Sequence, residues 1–161
     1  MVMNAALREA NLYVGTSGFS YKHWAGGVFY PPKLSQRKWL EYYAEKFCTV
    51  ELNNTFYRLP PPERFDSWKE RTPAHFRFAV KGSQLITHRK KLNSCQEPVE
   101  EFMGRIKRLE EKLSVILWQL PPRFNADEAL RRGFVQLLSS TGFERHAFEF
   151  RDPSWFAPPI L

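Results

Sequence analysis

The chain has little cysteine: Cys48 and Cys95 are the only two among 161 residues. Two thiols cannot build a disulfide framework or a zinc cage. They read as ordinary thiols of a reducing compartment, so a cytoplasmic protein is expected. No apolar run approaches the ~20 residues that a membrane helix needs, so no membrane association is expected. The first eleven residues carry Arg8 and Glu9 and have no apolar stretch. A secretory signal is therefore not expected. Histidines are four, His23, His75, His88 and His146, with no HExxH spacing. No metal is expected. The turn from Gly15 to Gly18 lacks the third glycine of a dinucleotide fingerprint, and Tyr21 and Trp24 stand where a helix should open. No nucleotide cofactor is expected either. Internal repeats beyond a strand–helix period and low-complexity tracts are absent.

What is present is enough for one folded domain. Hydrophobic residues make up 43% and charged residues 25%, which excludes disorder as the overall state. Fourteen phenylalanines lift the aromatic share to 16%. Lysine and arginine number 24 against 17 acids, a net charge of +7. That excess permits attraction to nucleic acid or phosphates. The charges are scattered, so a basic protein without such a partner fits equally.

Five stretches read as strands: residues 12–17, 49–57, 76–81, 114–120 and 146–151. Their starts lie 27 to 38 residues apart, the length of a strand, a helix and two loops. Helical stripes fill the gaps. They are Trp39, Leu40, Tyr43 and Phe47, then Phe65 and Trp68, then Phe102, Ile106, Leu109 and Leu113, and finally Leu130, Phe134, Leu137 and Leu138. Pro62 and Pro98 suit first helical positions. Residues 125–128 resemble a capping box, and Gly142 suits a terminator. Strand and helix alternating four times before a fifth strand predicts a parallel sheet with right-handed crossovers. An open doubly wound sheet and a (β/α) barrel both fit. Prolines at 31–32, 60–62, 121–122 and 153 follow strand exits, the functional face of such folds.

Side chains alternate across a strand. Alternation sets Glu51, Lys81, Glu149 and Arg151 on the face opposite the apolar residues, late in their strands. Two readings follow. The four charges form a buried salt-bridge network, or they form a site at the strand exits. Glu51 and Glu149 are acid–base candidates, and two carboxylates raise a glycosidase reading. Lys81 reads as a charge partner, or as a Schiff-base nucleophile if desolvated. His88 is a further acid–base candidate. Residues 88–91, His-Arg-Lys-Lys, read as a solvated loop or a phosphate-binding edge.

Several phrases occur together and in order: GTSGFSY at 15–21 with Trp24, VELNNTFY at 50–57, FAVK at 78–81 with ITH at 86–88, QLPP at 119–122, and FEFRDPSW at 148–155. In these the chain resembles domain-of-unknown-function family 72, the YecE-like family, over nearly its whole length. The resemblance implies an α/β, TIM-like (β/α) barrel, and it implies no established reaction. It adds Thr16, Ser17, Tyr21, Trp24, Asn53, Thr55, Tyr57, Gln119 and Trp155 to Arg151 as candidate ligand-binding residues, beside Glu51, Glu149, Lys81 and His88 as catalytic candidates. An eight-stranded barrel takes about 250 residues. The expectation is thus a barrel truncated to about five strands and four helices over residues 12–161, after an extension at 1–11. Three functions are consistent with this. One is a metal-independent site for a small polar or anionic ligand at the C-terminal strand ends. Another is a nucleic-acid-binding or processing barrel. The third is a truncated chain without activity of its own, whose open sheet edges self-associate.

Overall fold

A computed structural model describes residues 12–157; the expected extension at 1–11 lies outside the described residues. Five strands, β1 (Gly15–Ser17), β2 (Thr49–Leu52), β3 (Arg77–Lys81), β4 (Leu113–Gln119) and β5 (His146–Glu149), form one sheet. Their spatial order follows the chain, and every neighbouring pair is parallel. Four helices connect them: α1 (Trp39–Lys46), α2 (Pro62–Glu70), α3 (Gln96–Ile106) and α4 (Glu128–Ser139). The strand–helix alternation read from the sequence is thereby present. Among the described residues β1 and β5 are the sheet edges.

The apolar face of the sheet packs on the helices. Val50, Phe78, Val80, Ile116 and Trp118 are fully buried there, against Leu40 and Tyr43 of α1, Phe65 of α2, and Phe102 and Ile106 of α3. Each such side chain contributes roughly 1.5–3 kcal/mol relative to exposure. The short edge strand β1 needs more than its ladder. Tyr43, wholly buried, donates its hydroxyl to Thr49 O (3.0 Å) and accepts the Thr16 amide (2.9 Å), tying β1 to β2.

Several boundaries differ from the sequence reading. The strand at 49–57 stops at Leu52, and Asn54–Tyr57 is a single helical turn. The Thr55 hydroxyl lies within hydrogen-bond reach of Leu52 O (2.8 Å) and Lys81 O (2.7 Å), which fixes the reversal. The third helix begins at Gln96 rather than near Pro98 and passes into a tight 3₁₀ segment, Lys107–Lys112. Glu110 there has φ +51°, so Leu113 opens β4 instead of ending the helical stripe. The cap of α4 is Asp127, whose carboxylate accepts Leu130 N, and not Asn125.

Candidate functional site

The register places Ser17, Glu51, Ala79 and Val115 in one row across β1 to β4, and Lys81, Leu117 and Ala147 in the next. Gln119 and Glu149 form a third row at the ends of β4 and β5. Glu51, Lys81 and Glu149 thus share the face turned away from the helices, as alternation predicts. Arg151 follows the end of β5, exposed.

The inward charges do not form a salt-bridge network. Seven ion pairs occur among the described residues, and none includes Glu51, Lys81, Glu149 or Arg151. The carboxylates are held by neutral groups. Ser17 Oγ donates to Glu51 Oε1 at 3.5 Å and accepts from Asn53 Nδ2. Gln119 Nε2 lies 2.7 Å from both oxygens of Glu149. Asn53 and Gln119 are thus positioning groups for Ser17 and Glu149. Glu51 and Glu149 sit three strands apart with separate partners and no direct contact.

Between them lies a cationic centre. Lys81 Nζ sits 5.0 Å from the centroid of Phe56, and the His88 ring meets the same phenyl ring edge-on at 4.9 Å. His88 stands on a π-helical turn, Leu85–Arg89, of the kind frequent at functional sites. Its Nδ1 is 2.9 Å from Thr87 Oγ1, itself 3.2 Å from Ser83 O. Burial first, then the positive charges of Lys81 and Arg151, hold His88 below the usual imidazole pKa. Lys81 and Arg151 thus lie close enough for their charges to act on His88. Phe56 was not among the candidates named from the sequence; the helical turn after Leu52 sets it against Lys81 and His88.

The same turn buries Thr55 completely, which removes it from ligand contact. Thr16 and Trp155 are also corrected. Thr16 lies on the helix side, its hydroxyl 2.9 Å from Tyr43 Oη and 2.7 Å from Gly18 O. Trp155 is 1% exposed, stacks on Phe150 at 4.7 Å and donates to Phe124 O at 2.6 Å, a structural role. Tyr21 donates to Ser17 O, and it packs on half-buried Trp24 at 4.8 Å beside the site. Gly18, at φ +98°, makes that turn possible. Tyr57 is 73% exposed. The cluster at 88–91 does not converge: Lys90 bonds Ser94 O, and Lys91 lies over Phe124. Among the described residues no three His, Cys, Asp or Glu side chains gather as a metal site.

His146, at the opposite end of the sheet, is structural. Its Nδ1 meets the Trp118 indole N–H at 3.1 Å, so it must accept. Nε2, 2.9 Å from Phe143 O, then carries the proton. Burial pushes this imidazole down as well. Both histidines therefore hold the neutral form more firmly in the folded chain than in the unfolded one, which protonates near pH 6.5. Their stabilising contribution is complete above that pH and is lost as pH falls through the lower folded values. The urea midpoint should hold steady from about pH 8 to 7 and decline toward pH 5. An unchanged midpoint at pH 5 would show that neither ring is held neutral, and an unaltered slope in His146→Gln would show that His146 is not.

A parallel α/β sheet with polar residues converging at its strand exits is the class defined by this fold. Comparison with known proteins gives the family. The family described as "Protein of unknown function DUF72" matches residues 13–160, and the chain belongs to it. It is 30% identical over 155 residues to UPF0759 protein YunF of Bacillus subtilis, covering 92% of this chain and 54% of that protein. It is 36% identical over 133 residues to UPF0759 protein YecE of Escherichia coli K12, covering 78% of this chain and 48% of YecE. The chain therefore spans about half the length of the curated relatives it matches. A crystal structure of a DUF72 family protein from Thermotoga maritima superposes with TM-score 0.76 at 34% identity, over 92% of this chain and 58% of that one. One from Enterococcus faecalis, 24% identical, gives TM-score 0.72 over 92% of this chain and 54% of that chain, a likeness of fold.

Proposed function

We propose that the five strands are the first part of a TIM-like (β/α) barrel whose strand exits bind a small anionic ligand. Lys81, His88 and Arg151 would hold its phosphate or carboxylate group. Glu51 and Glu149 would serve as acid–base groups on either side. Tyr21, Trp24 and Tyr57 would wall the site. One observation carries this reading: among the described residues both cations near His88 lack a carboxylate partner, while both nearby carboxylates are occupied by neutral donors. Unpaired cations beside a depressed imidazole form a local positive field that a ligand anion neutralises. The reading places the protein in the cytoplasm, with support from two cysteines that are buried and unpaired.

Thermal unfolding with inorganic phosphate or citrate, against an uncharged polyol, tests it. Saturating anion at about 100 times its Kd should add about 2.7 kcal/mol. Lys81→Ala and Arg151→Ala should each weaken anion binding about tenfold, the equivalent of one charge-assisted hydrogen bond. Lys81→Ala should barely change basal stability, because no buried ion pair is broken. Equal stabilisation by the polyol, or full anion binding in both variants, would sink the assignment.

A further inference from the structure

A basic groove runs outward from the Glu51 end of this site. A hollow of about 190 Å³ over Glu51 and Asn53 shares Phe19, Ser20, Asn54 and Trp68 with a second of about 680 Å³. The second shares Asn54 and Arg64 with a third of about 670 Å³, which Arg58 and Tyr57 also line. The three hollows thus adjoin one another through shared side chains. Six of the lining side chains are Arg or Lys, and only Glu41 and Glu51 are acidic. Glu41 is neutralised by Arg71, 2.8 Å away, and Lys38, 3.8 Å away. Arg37, Arg58 and Arg64 are exposed and meet no carboxylate among the described residues.

We propose that this groove binds single-stranded nucleic acid. Three guanidiniums that meet no carboxylate among the described residues line adjoining hollows and suit backbone phosphates, which arginine takes bidentately. The third hollow also carries the largely exposed ring of Tyr57, a stacking surface for an unpaired base. A duplex presents no free base face to that ring. An acidic peptide would use the arginines and leave the tyrosine without a role. The inner end opens beside Glu51, so a strand in the groove delivers one terminus to the strand exits.

The test is fluorescence anisotropy with labelled oligothymidylate of about 15 nucleotides, within the span of a few such contacts. Three phosphate contacts predict a log–log salt slope near −2, or about 100-fold weaker binding for tenfold more salt. The double variant Arg58→Ser, Arg64→Ser should bind at least tenfold more weakly at low salt, with its slope reduced to about −0.7. Its far-UV circular dichroism should match the parent, since neither guanidinium has a partner to lose. Arg132→Ser, on the far helix α4, should bind as the parent does. Absence of saturable binding, an unaffected double variant, tighter binding of the matching duplex, or equal competition by polyglutamate would each overturn the proposal.

Discussion

Lys112→Met should lower the unfolding free energy by about 3 kcal/mol, and Lys112→Ala by about 4 kcal/mol. Lys112 is 4% exposed and has no carboxylate partner among the described residues. Its ammonium instead meets Lys69 O at 2.5 Å, Thr72 O at 2.6 Å and Thr72 Oγ1 at 3.2 Å. These oxygens lie at and just past the C-terminal end of α2, where helix carbonyls lack intrahelical donors and a cation is favoured. Burial pushes this lysine's pKa down, a sign of the desolvation it bears. Three charge-assisted hydrogen bonds offset that penalty. Methionine keeps the methylene packing but leaves the buried oxygens without their donor, and alanine opens a cavity as well. Denaturant midpoints at constant m-value read the difference. A methionine variant as stable as the parent would mean that desolvation cancels the hydrogen bonds.

Gly82→Ala should cost about 3 kcal/mol, at the upper end of ordinary overpacking. A Cβ at Gly82 would stand 2.3 Å from Trp118 Cε3. The indole is fully buried and cannot step aside. Phe102 packs on it at 5.5 Å and Phe134 at 5.3 Å, and its N–H is committed to His146. The chain at Gly82 must move instead, although its amide bonds Leu117 O at 2.8 Å. Lys81 is the adjacent residue, so the substitution should also weaken anion binding more than a remote change of equal stability cost. A lower midpoint together with altered near-ultraviolet circular dichroism is the expected record. Unchanged tryptophan signals with full stability would show that the sheet absorbs the methyl group freely.

The candidate site was partly legible before the fold. Period-two alternation named Glu51, Lys81, Glu149 and Arg151 as sharing one face; the register agrees for the first three, and Arg151 lies past the end of β5. Thr16 shows where adjacent candidates conflict. Neighbours in one strand cannot both face the site, and Tyr43 draws Thr16 to the helix side while Ser17 faces Glu51.

What the sequence by itself determined is the order of strands and helices and the side of the sheet that packs on the helices. Both follow from local spacing of apolar residues, which water enforces wherever the chain folds. What the tertiary structure alone decided is the company each polar group keeps. Phe56 reaches Lys81 and His88 because Thr55 spends its hydroxyl on the carbonyls of two different strands and turns the chain after Leu52. Trp155 is buried because Phe124, thirty-one residues earlier in the chain, supplies its acceptor. Ser17 and Gln119 hold Glu51 and Glu149, and Lys81 and Arg151 meet no carboxylate among the described residues. Those pairings join residues far apart in the chain, and no periodicity encodes them.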